Sequence, residues 1–443
     1  MGHIRYSAQR VRNGAGTSLS LFVVLAWLVG VPAPDPAPAP TPELASSAVT
    51  PSPPAGSAPT PRPGTPPPLP REIPEETPPA PTAMPATFTI LAGGDVLPHG
   101  PVNASAARGG RVDYSPLLAG IDAWVGGADL ALCHLEVPVA PPGSAATGYP
   151  LFGAPAELVA DLREQGWDGC STASNHSVDR GFRGVVSTLD ALDAAGMGHA
   201  GTARTAEEQS LPQLYDLHRS GRWITVAHLA VTYGLNGLPM PAEAPWAVDL
   251  IDVDRVVAQT AAARAAGADV VVVSVHDGAE YTQEPTAHQR DVAVRLAASG
   301  QVDLVLGHHA HVPQPVELLP GGRDGLGLWV AYGLGNLLSN QNPGCCGLRS
   351  TSGLLLTATV TQEPHGPARV TGVGWTATTV DLAAGHRLRT IAGAPADPAA
   401  GRLSEAQLHE RQELVRTAAG PQALELVAPP TPTGEAPLVV RRP

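Results

Sequence analysis

The sequence predicts an α/β domain preceded by a long segment that builds no core. Three observations carry this. Beyond residue 87, short apolar runs alternate with amphipathic helical stretches, the signature of strands and helices packed in layers. The residues suited to metal or acid–base chemistry fall at the ends of those runs. Before residue 87 the composition shifts: 21 prolines fall within residues 32–86, with few large apolar side chains among them. Such a stretch cannot bury enough surface to offset its ordering entropy.

Taken in order, the chain opens with Arg5, Arg10 and Arg12 ahead of an apolar run at 19–31, interrupted only by Ser20 and Gly30. That run is shorter than the ~20 residues a bilayer span needs and fits the hydrophobic region of an export signal. Pro32 and Pro34 spoil a clean cleavage site, so an uncleaved membrane anchor is the alternative for 1–31. Either reading places the rest of the chain outside the cytoplasm, in the cell envelope or secreted. Residues 32–86 then form a linker favouring polyproline II.

Strands are expected at 88–93, 128–133, 169–173, 223–231, 270–275, 302–307 and 328–332, and helices at 155–165, 182–195, 253–266 and 286–299. Runs at 354–361 and 368–377 read as antiparallel strands, 404–417 as one polar helix, and the last 25 residues as loose. The expected folded domain is 87–385, with a partly helical extension at 386–443.

Composition excludes several functions. With 27 basic against 40 acidic residues and a net charge of −13, the chain lacks the basic stripe that nucleic acid requires. It contains no lysine, which removes P-loop and Schiff-base chemistry. Four cysteines form neither a disulfide scaffold nor a paired zinc-ribbon spacing. Cys133 and Cys170 read as buried thiols near one another, and Cys345 and Cys346 share a loop. Outside the membrane, pairing among them is chemically open.

The chemistry concentrates at strand ends. Asp95 follows the first strand, His134 and Glu136 end the second, and Asn175 and His176 follow the third. His276 ends a fourth, while His308, His309 and His311 end a fifth. In an open α/β sheet the ligand crevice lies outside the carboxyl ends of the strands. In extended backbone, positions i and i+2 project to one side, so His309 can meet His311 and His134 can meet Glu136. Imidazole, carboxylate and one amide oxygen suit Mn, Fe or Zn better than Ca. So many candidates exceed one ion's needs and point to two divalent metal ions.

Six blocks stand in consistent order: G-G-D at 93–95, H-L-E at 134–136, S-N-H-S-V-D-R-G at 174–181, H-D-G-A-E-Y at 276–281, G-H-H-A-H-V-P-Q-P-V-E at 307–317 and Y-G-L-G-N at 332–336. Over about residues 88–377 the chain resembles the CapA family of capsule and poly-γ-glutamate biosynthesis proteins. The resemblance implies a four-layer α/β sandwich of the calcineurin-like metallophosphoesterase type. It also implies a role in making or exporting an anionic polymer beside membrane-bound synthase subunits, with a phosphorylated substrate if the site is a hydrolase.

Residue by residue, it implies metal ligation by Asp95, Glu136, Asn175, His276, His309 and His311, with His176 assisting the leaving group. Asp179 either orients His176 or caps the following helix. His134, His308, Glu280, Tyr281 and Asn336 fall behind the ligands or at the rim. Three positions depart from the family pattern: Leu97 replaces a histidine, His134 replaces the asparagine of N-L-E, and Asp277 replaces the tryptophan of H-W-G. His134 either restores the lost ligand or supports the site by a hydrogen bond. His99 and His199 read as surface histidines. Two other functions remain open, a non-catalytic polymer-binding scaffold and a secreted phosphoesterase unconnected with capsule.

Overall fold

The computed structural model describes residues 84–391 and 401–443. The expected signal or anchor and nearly all of the Pro-rich linker lie outside the described residues.

In chain order the main elements are β1 (Ala86–Leu97), α1 (Gly100–Ala106), β2 (Leu130–Leu135), α2 (Glu157–Gln165), β3 (Gly169–Ser171), α3 (Gly181–Ala194), β4 (Gly198–Ala200), β5 (Gln213–Arg219) and β6 (Arg222–Thr232). There follow α4 (Val253–Ala265), β7 (Val270–His276), α5 (Ala287–Ser299), β8 (Leu304–His308), β9 (Val316–Leu319), β10 (Leu328–Ala331) and β11 (Asn336–Ser339). The chain closes with β12 (Ser352–Gln362), β13 (Ala368–Asp381), β14 (Arg387–Thr390), α6 (Glu405–Ala419), β15 (Leu424–Glu425) and β16 (Leu438–Val440).

Two sheets result. The first runs β14-β13-β12-β1-β2-β3-β4, with β11 added beside β1 and β15 beside β13. The second runs β9-β10-β8-β7-β6-β5-β16. Period-two alternation stacks them. In β7, Val270 and Val272 face the other sheet, packing with Ile90, Leu132, Leu306 and Leu356. Val271 and Val273 face outward, onto Val256 of α4 and Val292 and Leu296 of α5. In β1, Leu91 turns the other way, joining Leu158 of α2 and Val185 and Leu189 of α3. The order is therefore helix, sheet, sheet, helix, the four-layer arrangement expected. Within the first sheet β1, β2, β3 and β4 are parallel, and within the second β6, β7, β8 and β10 are parallel.

Local chemistry explains the helix limits. Thr286 and Gln289 form a capping box at the start of α5, and Ser404 and Gln407 do so for α6. Gly166 ends α2 with φ 115°, a conformation that favours glycine.

Three expectations need correcting. The last 25 residues are not loose: β15 pairs with β13 and β16 with β5. Near the chain end Arg442 is buried, its guanidinium donating to the carbonyls of Glu208 at 3.0 Å and Thr202 at 3.0 Å. These anchors are single polar residues rather than an apolar repeat, so composition does not reveal them. The β14 strand likewise extends the first sheet. His199 is buried, not on the surface, between Asp193 (3.2 Å) and Arg442 (2.7 Å). Finally, Cys133 and Cys170 are disulfide-bonded, as are Cys345 and Cys346. Parallel pairing of β2 and β3 sets Cys133 directly opposite Cys170, with Cα atoms 4.4 Å apart.

One buried carboxylate ties both sheets to the tail. Asp129 accepts from the Thr89 amide (2.8 Å) and hydroxyl (3.1 Å), from Arg219 Nη2 (2.8 Å) and from the Thr433 amide (2.7 Å). Asp129→Ala would leave Arg219 buried without its counter-charge. It is expected to lower the unfolding free energy by about 3 kcal/mol, read as an earlier urea midpoint at unchanged slope. An unchanged midpoint would remove Asp129 from this role.

Candidate metal centre

The centre forms where the carboxyl ends of both sheets' parallel strands converge. Gly94 lets β1 approach the chain entering β11, because a Cβ there would collide with the Gly335 carbonyl. Asp95 N then donates to Gly335 O at 2.9 Å, which fixes the carboxylate at the sheet end. His134 is the penultimate residue of β2, with Glu136 just beyond its end; His276 ends β7 and His308 ends β8.

His309 and His311 arrive differently from the strand alternation expected of them. The extended backbone stops at His308, and His309 (φ 87°) and His311 (φ 58°) adopt the left-handed region. Non-glycine residues are uncommon there and held at a cost, which concentrates at functional sites. The loop folds back so that both imidazoles return to the pocket.

Donor atoms gather in two groups, each with its atoms within 4.8 Å of one another: Asp95 with His134 and His308, and Glu136 with His309 and His311. His134 and Glu136, expected to converge, thus serve different groups. His311 joins the two, with Nδ1 3.0 Å from Asp95 Oδ2 and Nε2 3.7 Å from Glu136 Oε1. Asn336 Oδ1 also accepts from His311 Nδ1 at 3.1 Å, and its Nδ2 is held by Gln341 Oε1 and Ser350 O, both at 2.8 Å. His276 lies between the groups. Its Nε2 is 2.9 Å from Asn175 Oδ1 and 3.9 Å from Glu136 Oε1, while its Nδ1 is 2.9 Å from His134 Nε2.

All six residues that the resemblance assigns to metal therefore meet in one buried pocket. His134 and His308 join them inside the groups rather than behind them. Leu97 forms part of the adjoining cavity wall, and Asp95 is flanked instead by His308 and His311. Asp277 enters neither group and pairs with His288 at 2.6 Å.

His176 stands beside the ligands with Nδ1 2.7 Å from Asp179 Oδ2. Arg180, not Asp179, occupies the cap position of α3, and it makes no capping bond. Of the two roles open to Asp179, the geometry selects orientation of His176. Sequence reasoning missed Ser171, whose hydroxyl holds His134 Nδ1 at 2.8 Å, and Asn236, whose Oδ1 accepts from Asn175 Nδ2 at 3.0 Å. It also missed Tyr233, whose ring lies 4.6 Å from that of His309. Asn236-Gly237 is a turn dipeptide with positive φ at both residues, a signal present in the sequence.

Burial and neighbouring charge set the protonation states. Burial pushes Glu136 well above the usual carboxylate range; His311 opposes this and Asp95 adds to it. Burial acts the same way on Asp95, but the nearby His308, with Nδ1 3.3 Å from Oδ1, and the hydrogen bond of His311 win and hold it well below that range. Burial, reinforced by surrounding imidazoles, pushes His134 and His276 well below 6.5 and His309 down to about 3. His311 goes up to about 9, because Glu136 and Asp95 outweigh its burial. Neutral imidazole is the form that binds metal.

These residues fit a cation. Both oxygens of Glu136, Asp95 Oδ1, and the Nδ1 atoms of His308 and His309 are buried without a hydrogen-bond partner. Each such orphan costs about 1–3 kcal/mol or more if charged, and divalent ions would satisfy all of them together.

A cavity of about 410 Å³ adjoins the centre, with His176 and His311 on the shared wall. Glu280 and the half-exposed Tyr281 lie at its rim, as expected. His99, expected at the surface, lines it half-buried, Nδ1 2.9 Å from Leu97 O. A larger groove of about 570 Å³ beside α3 contains none of the metal-type cluster.

A model of the family described as bacterial capsule synthesis protein PGA_cap matches residues 89–341. The capsule biosynthesis protein CapA of Bacillus anthracis is 27% identical over 194 residues, 43% of this chain and 44% of that protein. The PGA biosynthesis protein CapA of Bacillus subtilis is 26% identical over 186 residues, 42% and 46% of the two chains. A probable polyglutamine synthesis accessory protein of Mycobacterium tuberculosis is 27% identical over 220 residues, 48% and 56%. The chain spans about half the length of the curated relatives it matches. Among solved structures, the NAD nucleotidase of Haemophilus influenzae is similar at TM-score 0.43 and 12% identity, covering 78% of this chain and 65% of that one. The calcineurin-like phosphoesterase YfkN from Bacillus subtilis is similar at TM-score 0.39 and 12% identity, covering 75% and 97%. The family match takes in more than half of the chain and every strand end of the centre, and the chain belongs to the bacterial capsule synthesis protein family.

Proposed function

We propose that this chain is a metal-dependent phosphoester hydrolase serving the synthesis or export of a capsule or poly-γ-glutamate-type polymer, and that it works outside the cytoplasm. One observation carries the hydrolase reading: two buried groups of carboxylate and imidazole donors, with orphaned atoms in both, share a wall with a solvent-reaching cavity. The polymer role rests on the family and on what its curated relatives are named for.

Asp95, His134 and His308 would hold one divalent ion and Glu136, His309 and His311 the other, with Asn175 and His276 completing the shell. Mn, Fe or Zn suits this donor set. Bound ions would supply Lewis-acid polarisation of a phosphoryl oxygen and ionise water near neutral pH. The chain's own residues do the rest. His176 faces the cavity with Nδ1 committed to Asp179, leaving Nε2 to give a proton to the departing oxygen. Asp179 stabilises the protonated ring and fixes its rotation. Asn236 turns the Asn175 amide so that its oxygen points at His276 and the ligands.

Three outcomes are expected. His309→Ala removes a ligand, so metal content measured on the purified full chain falls together with activity on bis(p-nitrophenyl) phosphate. His176→Ala keeps its metal but loses turnover by ~10²–10⁴-fold. If both variants sustain polymer production at wild-type level, the protein acts as a scaffold and not as a hydrolase. For location, protease added to intact cells should digest the folded domain. Complete protection, with other envelope proteins cut, would overturn the extracytoplasmic assignment.

A further inference from the structure

We propose that the cavity beside the metal centre binds an uncharged hexopyranosyl group, so that the phosphoester hydrolysed is a sugar-linked phosphate. This rests on the hydrolase reading for its chemistry, though the binding itself does not.

The cavity holds about 410 Å³, within the roughly 300–1,000 Å³ of small-molecule sites. Its lining includes no arginine, in a chain that contains no lysine. The acidic side chain in the lining is Glu280. A polyanion such as a γ-glutamyl chain would therefore find no arginine or lysine along the wall beyond the histidines shared with the centre, and would meet the acidic Glu280. The wall instead carries three successive amides, Asn340, Gln341 and Asn342, of which Gln341 is bonded to Asn336 and Tyr281, and Asn342 to the Asn340 carbonyl and the Gly344 amide. Amides both donate and accept, as sugar hydroxyls do. His386 holds Asn340 Oδ1 at 2.8 Å, which leaves Asn340 Nδ2 as a donor with no partner among the described residues.

Aromatic rings supply the other half. Tyr149 sits on the lip with 78% of its surface exposed, so nothing in the core explains its placement. A single open ring face suits the C–H face of a pyranose. A nucleobase prefers a slot between parallel rings, whereas the rings around Phe152 cross steeply, Tyr149 with Phe152 at 74°, His99 with Phe152 at 85° and Phe152 with His176 at 77°, and Tyr281 with His311, at 32°, is the flattest pair. The Cys345–Cys346 disulfide adds an apolar patch to the lining. His176 and His311 line both cavity and centre, so a sugar held here presents its linking oxygen to the proposed proton donor.

Saturation-transfer NMR on the metal-loaded full chain tests this, using methyl glycosides of glucose, galactose, mannose and N-acetylglucosamine beside adenosine and tri-γ-glutamate. At least one glycoside should bind. Tyr149→Ala should weaken it about tenfold, while Tyr149→Phe keeps the ring and the affinity. The proposal is overturned if no glycoside binds, if binding ignores Tyr149→Ala, or if adenosine or tri-γ-glutamate binds more tightly with the same dependence. Glycoside binding without hydrolysis of the generic diester would uphold the site and overturn the hydrolase reading. Hydrolysis without glycoside binding would do the reverse.

Discussion

Everything near the centre answers to one constraint: Asp95 and Glu136 are both fully buried, close together, and only partly compensated by protein. A carboxylate in a low-dielectric interior costs several kcal/mol unless it is paired or binds a cation. Imidazoles offer partial relief, and the protein spends more of it on Asp95, where His308 and His311 make contact. Glu136 receives no donor on either oxygen. That asymmetry makes a cation the natural completion of the site and His311 its hinge, since this one ring touches Asp95 and approaches Glu136.

Concentrating such groups requires a frame that does not give. Two sheets stacked face to face bring parallel strand ends from both to the same edge, and the inter-sheet core of Ile90, Leu132, Val272 and Leu306 holds them in register. Asp129 works at the opposite, amino-terminal side of β2, bonding β1, the β5–β6 hairpin and the chain's final stretch. The frame is thus tied by a satisfied carboxylate at one end and strained by unsatisfied ones at the other. The contrast is chemical, not positional. Asp129 has Arg219 and backbone donors, whereas Glu136 has orphaned oxygens that only a ligand can serve.

Much of this was legible from residue types. Runs such as Val270–Val273 of β7 can only be buried strand, and polar residues following them mark the crevice. The four-layer order came from the resemblance and the stacking bears it out. What stayed hidden has physical causes. β9, β14 and β16 are short strands at or near sheet edges, with too few residues to show a period. His309 and His311 converge through left-handed backbone, which no strand rule predicts. Asn236 lies 61 residues from Asn175 in the chain, so only folding shows that they touch. Asp179 had two sound local roles, and the folded geometry, with Arg180 at the cap and Asp179 on His176, decided between them.

The electrostatic character of the pocket changes within a few ångströms, and this bears on what can enter. At the ligand groups, charge is dense and buried. At the cavity wall it gives way to amides, aromatic edges and a disulfide, with Glu280 at the mouth. A substrate anionic along its whole length would find attraction at one end only. One that is charged at a single phosphoryl group and neutral beyond it matches the gradient throughout. Specificity of this kind depends on what the wall withholds: without arginine there, binding energy for any anion is confined to the centre and its histidines, where, on the hydrolase reading proposed above, it would act on the bond being broken.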